Sequence, residues 1–345
     1  MAKVFNWGII GLGKIAHRFA DDLLLIPNAR LHAVVSSSTD RAREFAQKYK
    51  VAYAYGNYND IKNVPDLDAV YIASTHTSHC AHTLLCLKNN IPVLCEKPFA
   101  MNAVEVEQMI GLALAKQTFL MEALWTRFLP TTIKVLEMIE SGIIGEVLSL
   151  KADFGFQASF QPDRRLFNQD LGGGALLDVG IYPVFLSLLL FGKPDKIKAM
   201  ATIGPSNVDE SCAMMLSYGE QKMAMLHSSI IVDTPTEAYI FGEKGCIRIN
   251  RRWHEATSVT VMLKGQEPKD YFFEFNSTGY RYEAEEVMSC VRAGKLESDI
   301  LPLGFSRNLM ELLDRIRLEA GIFYPRHDQF TKEMLIEGDG DFSMN

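Results

Sequence analysis

Along the first 125 residues, short apolar runs alternate with stretches whose apolar positions recur every three or four residues. "VFNWGII", "ARLHAVVSSS", "LDAVYIAS", "IPVLCEKP" and "TFLMEAL" read as strands. Between them "KIAHRFADDLLLI", "DRAREFAQKYK", "CAHTLLCLKNN" and "NAVEVEQMIGLALAKQ" read as helices. Strands this short and uniformly apolar, separated by helices, predict βαβ units around a parallel sheet buried on both faces. A doubly wound α/β domain is expected over residues 1–125. After the helix and turn of "PTTIKVLEMIESGIIGEV" the pattern changes. Eight strand-like segments, from "LSLKADFGF" to "DYFFEF", are broken by Gly, Pro, Asp and Asn, with helical signals at 176–191, 280–293 and 304–320. Uninterrupted strands of this kind predict an antiparallel sheet in a second, α+β domain, residues 126–345.

The length of 345 residues agrees with two domains. Apolar residues at 48% and charged residues at 22% are ordinary for a globular protein, and a net charge of −7 argues against nucleic acid or an anionic membrane as partner. No apolar run reaches the roughly 18 residues of a membrane span. "MAKVFNWGII" lacks the h-region and cleavage site of a signal peptide. The six cysteines are scattered with no CxxC pair, as expected of reduced thiols in the cytoplasm.

The first strand runs into Gly11-Leu12-Gly13-Lys14-Ile15-Ala16, a GxGxxA at a strand–turn–helix junction. Gly11 suits the tight turn, Gly13 admits a pyrophosphate to the backbone, and Ala16 lets the helix lie close to the strand. The helix N-terminus offers N–H groups and positive dipole to phosphates. At the end of the second strand, where an NAD-specific site usually carries Asp or Glu, stand Ser36, Ser37 and Ser38, followed by Arg41 and Arg43. Hydroxyls and a guanidinium tolerate a 2′-phosphate, so NADP is the expected cofactor, with NAD as the alternative.

In "GGGALLDVGIYPVF", Asp178 and Tyr182 lie four apart, one above the other on a continuous helix. They fit a helix-start acid and a buried phenol, or half of an active site. His76, His79 and His82 form an HxxHxxH run, but no accompanying acid or Cys pair is evident, so no metal is expected.

Glu96-Lys97-Pro98 after "THTSHCAHTLLCLKNNIPVL", the glycine turn and "GGGALLDVGIYPVFLSLLLFG" resemble the glucose–fructose oxidoreductase / inositol dehydrogenase (Gfo/Idh/MocA) family. "MEALWTRFLP", Tyr182, "YEAEEVMSCVRAGKLES" and "MELLDRIR" are most similar to its dimeric dihydrodiol dehydrogenase / NADP-linked D-xylose dehydrogenase group. The resemblance implies an N-terminal Rossmann domain and a C-terminal domain with a large open sheet that packs against a second subunit, giving a homodimer. It also implies a higher homo-oligomer as the alternative to a homodimer, a sugar, polyol or trans-dihydrodiol substrate, and Lys97, Asp178 and Tyr182 as catalytic residues. Many members carry His where this chain has Tyr182. By the same resemblance Tyr71, Thr75, His76, His79 and Glu96 shape the cofactor pocket.

Oxidation of an alcohol needs a base for the hydroxyl proton as hydride leaves. A phenol with its ordinary pKa of ~10 needs a neighbouring ammonium, so Tyr182 is expected as acid/base with Lys97 tuning it and Asp178 orienting the substrate or the lysine. Trp125, Arg127, Phe154 and Trp253 are candidates for the substrate wall. Arg164 and Arg165 read as exposed loop charge. A different class, a regulator that senses NADP without turnover, would have no need of the acid/base set.

Overall fold

The computed structural model describes residues 3–274 and 277–328. The chain runs β1 (Phe5–Ile10), α1 (Lys14–Leu23), β2 (Ala29–Val35), α2 (Thr39–Tyr49), β3 (Tyr53–Tyr55), β4 (Ala69–Ile72), α3 (His79–Lys88), β5 (Val93–Glu96), α4 (Ala103–Ala115), β6 (Leu120–Ala123) and α5 (Pro130–Glu140). It continues through β7 (Val147–Gly155), α6 (Ile181–Phe191), β8 (Lys196–Ile203), β9 (Asp209–Tyr218), β10 (Lys222–Ser229), β11 (Ala238–Gly242), β12 (Gly245–Ile249), β13 (Ser258–Leu263) and β14 (Lys269–Phe272) to α7 (Tyr280–Arg292) and α8 (Leu303–Ala320).

Contacts divide the chain into two compact units: Met1–Glu137 with Phe272–Arg307, and Met138–Tyr271 with Asn308–Asn345. The sequence pattern suggests a single cut after residue 125; in the structure the segment 272–307 returns to the first unit. Its helix α7 packs on α1, and the Leu120 N–H donates to Leu296 O at 3.1 Å.

The first unit holds a six-stranded sheet in the order β3-β2-β1-β4-β5-β6, every pair parallel. Every residue of β1, β4, β5 and β6 is buried, which explains why these strands read as unbroken apolar runs. The strand order reverses between β1 and β4, and in open parallel sheets ligands bind beyond the C-terminal strand ends at such a switch point.

The second unit holds an eight-stranded sheet, β14-β13-β12-β11-β7-β10-β9-β8. Strands β7 and β10 pair parallel, whereas β8–β9, β9–β10, β7–β11, β11–β12 and β12–β13 pair antiparallel. The strands alternate: Cys212, Met214 and Leu216 point into the core while Ala213 and Met215 are exposed. Helix α6 covers the core side. Its apolar residues Ile181 to Leu188 are all buried, as expected of a helix hydrophobic on every face. The stretch Gln169–Phe191 is long and apolar enough to cross a membrane, although the sequence pattern alone shows no such run. Of its most apolar 18-residue window 83% is buried inside the protein, and it serves as core. Its Ala175 and Val179 form a small cluster with Phe167, Val208 and Ile230.

Candidate active site

The residues expected at the cofactor lie along one edge of the parallel sheet. Gly11 follows β1 with φ +88°, and a Cβ there would fall 2.6 Å from Ser74 N and 2.7 Å from Ala73 C and O. Only glycine fits so close to the loop leaving β4. Gly13, the N-cap of α1, has no neighbour within 4 Å of a Cβ position. The helix has no side-chain cap and no acid in its first turn. Lys14 is exposed there, with Leu12 and Ile15 half-buried. Uncapped N–H groups facing open space, over a glycine whose missing side chain leaves that space clear, fit a dinucleotide pyrophosphate.

At the end of β2, Ser38 caps α2 by accepting from Arg41 N at 3.4 Å, while the Arg41 guanidinium donates to Ser37 Oγ at 2.9 Å. Ser36 is buried and its Oγ accepts from Ser38 N at 3.3 Å. Serines 37 and 38 and the exposed Arg41 stand where a ribose-binding carboxylate would stand in an NAD site.

The ends of β4 and β5 are joined by buried polar contacts. Tyr71 is fully buried, its ring stacked on Phe19 with centroids 3.8 Å apart. Its hydroxyl donates to Glu96 Oε1, and Lys97 N donates to Glu96 Oε2 at 3.1 Å. Burial, with the Glu96 carboxylate beside it, pushes the Tyr71 phenol well up, so it stays protonated and donating. Lys97 is half-buried at this edge. His79 spans two carbonyls, Nδ1 at 2.8 Å from Pro98 O and Nε2 at 3.2 Å from Ser74 O. Burial lowers it to about 4, so the ring is neutral and braces the Glu96-Lys97-Pro98 turn against the β4 loop. His82 bonds Ser74 Oγ at 3.0 Å, and Thr75 Oγ1 lies 3.2 Å from Ser78 Oγ. His76 is buried, its ring centroid 5.7 Å from that of His79. Among the described residues no group of three His, Cys, Asp or Glu side chains stands together as metal ligands.

Two buried carboxyls near this edge have no motif to announce them. Glu122 on β6 accepts from Phe99 N at 3.1 Å, and burial raises it to about 7. Glu283 on α7 is fully buried with neither carboxyl oxygen hydrogen-bonded, and burial together with nearby Glu96 raises it well above the ordinary carboxylate range.

In the second unit Asp178 lies in a wide π turn, Leu176–Gly180, from which α6 continues. The sequence pattern suggests an unbroken α-helix with Asp178 stacked above Tyr182. The wide turn closes i→i+5 in place of the i→i+4 of a regular α-helix. Both Asp178 oxygens lie 3.1 Å from Arg165 Nη2. Thus Arg165, read from the sequence as loop charge, is the ion-pair partner of the candidate acid. Tyr182 is buried, with ring centroids 5.6 Å from Phe154 and 5.3 Å from His254; Phe154 and His254 are themselves stacked at 4.1 Å.

Phe154 therefore belongs to the aromatic wall around Tyr182. Trp253 does not touch it among the ring contacts seen: it is buried, and its Nε1 donates to Asp153 O at 2.9 Å. Its neighbour His254, unmarked in sequence, is the ring that meets Tyr182. In the first unit Trp125 stacks on Tyr280 at 4.6 Å, nearly parallel, and Gly279 takes φ +107° where a Cβ would strike the Trp125 ring at 2.8 Å. Arg127 follows on the same short turn and is half-buried.

A family model described as an oxidoreductase family with an NAD-binding Rossmann fold matches residues 5–124, and the GFO/IDH/MocA C-terminal domain matches residues 132–248. Trans-1,2-dihydrobenzene-1,2-diol dehydrogenase of Danio rerio is 37% identical over 334 residues, covering 94% of this chain and 99% of its own. The Homo sapiens protein of that name is 34% identical, covering 93% and 98%. Among solved structures, a 3-ketoreductase from Actinomadura kijaniata in complex with NADP and TDP-benzene superposes with a TM-score of 0.84 at 23% identity, covering 92% of this chain and 98% of its own. An aldose-aldose oxidoreductase from Caulobacter crescentus gives the same score and identity over 93% and 98%.

Proposed function

Because the chain belongs to the GFO/IDH/MocA family of oxidoreductases, we propose that it moves a hydride between NADP and a hydroxyl-bearing carbon of a trans-dihydrodiol, sugar or cyclic polyol, with Tyr182 as the acid/base. It is an NAD(P)-dependent dehydrogenase. The observation that carries the finer reading is the setting of Tyr182: a phenol packed beside the stacked rings of Phe154 and His254, following a turn whose carboxylate is clasped by Arg165. Core packing alone would need neither the phenol oxygen nor the ion pair.

The nicotinamide, when bound, accepts or returns the hydride. Tyr182 takes the hydroxyl proton of the alcohol on oxidation and gives it back on reduction. Lys97 donates to the substrate hydroxyl. Asp178, its charge balanced by Arg165, orients the neighbouring hydroxyl, and Phe154 and His254 supply apolar faces for the ring of the substrate. Gly11 to Ile15 would hold the pyrophosphate, and Ser37, Ser38 and Arg41 would hold the 2′-phosphate, which favours NADP over NAD.

We also assign the exposed face of the eight-stranded sheet to a homodimer. Met215 and Met225 are directly opposed across β9 and β10, and they are exposed together with Met200, Met223 and Phe241. An apolar patch of this kind on a sheet face marks an association surface. A cytoplasmic location fits the six free thiols.

The test is Tyr182→Phe, assayed at 340 nm with NADP and trans-dihydrodiols, pentoses and hexoses. Loss of a general acid/base lowers kcat by about 10²–10⁴-fold while NADP affinity stays as in the wild type. Full activity in that variant would refute Tyr182. Tight NADP binding by the wild type with no turnover on any substrate would favour the sensing role.

A further inference from the structure

The three glycines that launch the Asp178 turn are held by a segment from the far end of the chain. Gly174 takes φ +122°, and a Cβ there would fall 2.1 Å from Asp209 Oδ1 and 3.1 Å from Tyr324 Oη. A Cβ on Gly173 would fall 2.4 Å from Arg165 O. The glycines are therefore absent side chains on two sides. On one side the chain of Arg165 to Asn168 is zipped to them, with Gly174 N donating to Leu166 O at 3.0 Å and Gly173 N to Asn168 O at 2.9 Å. On the other side lie Asp209 and Tyr324.

The contacts from that second side are specific. Tyr324, 1% exposed, donates to Gly173 O at 2.7 Å. Asp209, with no exposed surface, accepts from Leu176 N at 2.6 Å, the first residue of the π turn. Gln169 Nε2 donates to Phe323 O at 2.6 Å, and Arg326 pairs with Asp170 at 3.0 Å. The segment 322–328 is itself locked to α8. Arg317 and Asp328 form an ion pair in which neither side chain is exposed, Arg317 also reaches Asp314 at 2.7 Å, and Tyr324 N donates to Asp328 Oδ2 at 2.6 Å. The Arg317 guanidinium lies over the Tyr324 ring at 5.3 Å.

We propose that residues 322–328 form a clamp that sets the position of the glycine turn, and through it of Arg165, Asp178 and Tyr182, with Tyr324 and Asp209 as positioning residues. The inference rests on the assignment of Tyr182 as acid/base. A buried charge pair is an expensive way to hold a surface segment, and its use here is understandable if what must be fixed is an angle at a reacting group. The π turn supplies the reason that fixing is needed. Its wider ring is a less regular conformation than the α-helix that follows, and the Asp209 carboxylate on Leu176 N holds its entry.

Tyr324→Phe removes one donated hydrogen bond and keeps the ring. It is expected to lower kcat roughly two- to tenfold with the NADP dissociation constant unchanged, and to move the alkaline limb of the pH–rate profile, because the setting of the Tyr182 phenol changes. Gln169→Ala, at a half-exposed position, gives a smaller change in the same direction, and it reports even if Tyr324→Phe folds poorly. A lower melting temperature with wild-type kcat and pH profile in both variants would reduce the clamp to a structural brace and overturn the proposal. Tyr182→Phe measured alongside separates the two ideas. If it is inactive while the clamp variants match wild type, the clamp alone fails; if it is fully active, the acid/base assignment fails and the clamp's catalytic role with it.

Discussion

Two glycines of one motif make opposite predictions. Gly11 has φ +88°, where an L-residue costs roughly 1–2 kcal/mol. A Cβ there would also stand 2.6–2.7 Å from backbone atoms of Ala73 and Ser74, which cannot swing aside as a side-chain tip could. Overpacking of this kind adds about 1–3 kcal/mol, so Gly11→Ala is expected to destabilise the free protein by about 2–5 kcal/mol. For a unit of this size that corresponds to a melting temperature lower by roughly 5–15 °C. Gly13 has φ −85°, which alanine adopts readily, and its Cβ would meet nothing within 4 Å. Gly13→Ala should therefore melt within about 2–4 °C of wild type, since an N-cap prefers Gly to Ala by at most about 1 kcal/mol. The methyl would enter the space that the pyrophosphate needs, so NADP affinity should fall about tenfold or more. Thermal unfolding without cofactor and NADP titration by fluorescence, on both variants, decide the matter. A Gly13→Ala protein that binds NADP as wild type does would refute the cradle, and a Gly11→Ala protein with unchanged melting would refute the packing argument.

Three further outcomes are expected. Ser37→Asp places a carboxylate beside Arg41, repels a 2′-phosphate and should shift the kcat/KM ratio toward NAD; an unchanged ratio counts against the NADP assignment. Burial raises Glu122 from 4.5 to about 7 in the folded state, so the folded protein binds the proton more tightly than the unfolded chain, and stability present below pH 4.5 is lost as pH rises through 7. That loss approaches about 3 kcal/mol, and Glu122→Gln should flatten the fall in melting temperature between pH 5 and pH 8; an equally steep fall in the variant refutes it. Met215→Glu with Met225→Glu puts two like charges opposite each other on the exposed sheet face and should convert a dimer to a monomer by light scattering, with the fold retained by circular dichroism.

What could be read from the sequence followed from periodicity. The apolar strands of the parallel sheet were legible because both their faces are buried, and the eight strands of the second sheet because Gly, Pro, Asp and Asn break them. Strand β3 carries no such signal: it is three half-buried residues, "YAY", at a sheet edge, too short to show a period. The parallel pairing of β7 with β10 could not be read either, since α6, β8 and β9 lie between them in sequence and local pattern does not record which strand a segment joins. At the candidate site, the glycine turn and the serines after β2 were visible because their chemistry is local. Arg165 was not, because it stands thirteen positions before Asp178 across an irregular loop. Trp253 drew attention through its residue type, yet it is the next residue, His254, whose ring meets Tyr182.

The return of residues 272–307 to the first unit has a consequence for synthesis. Tyr280 covers Trp125, and the backbone N–H groups of Thr278 and Arg281 satisfy the buried carboxylate of Asp22. A ribosome that has made residue 137 must add 170 more before this unit has its last piece. At ordinary elongation speeds that is an interval of roughly 10–30 s. Throughout it the nascent dinucleotide fold carries an uncovered indole and an unsatisfied acid, a window in which a chaperone has something to hold.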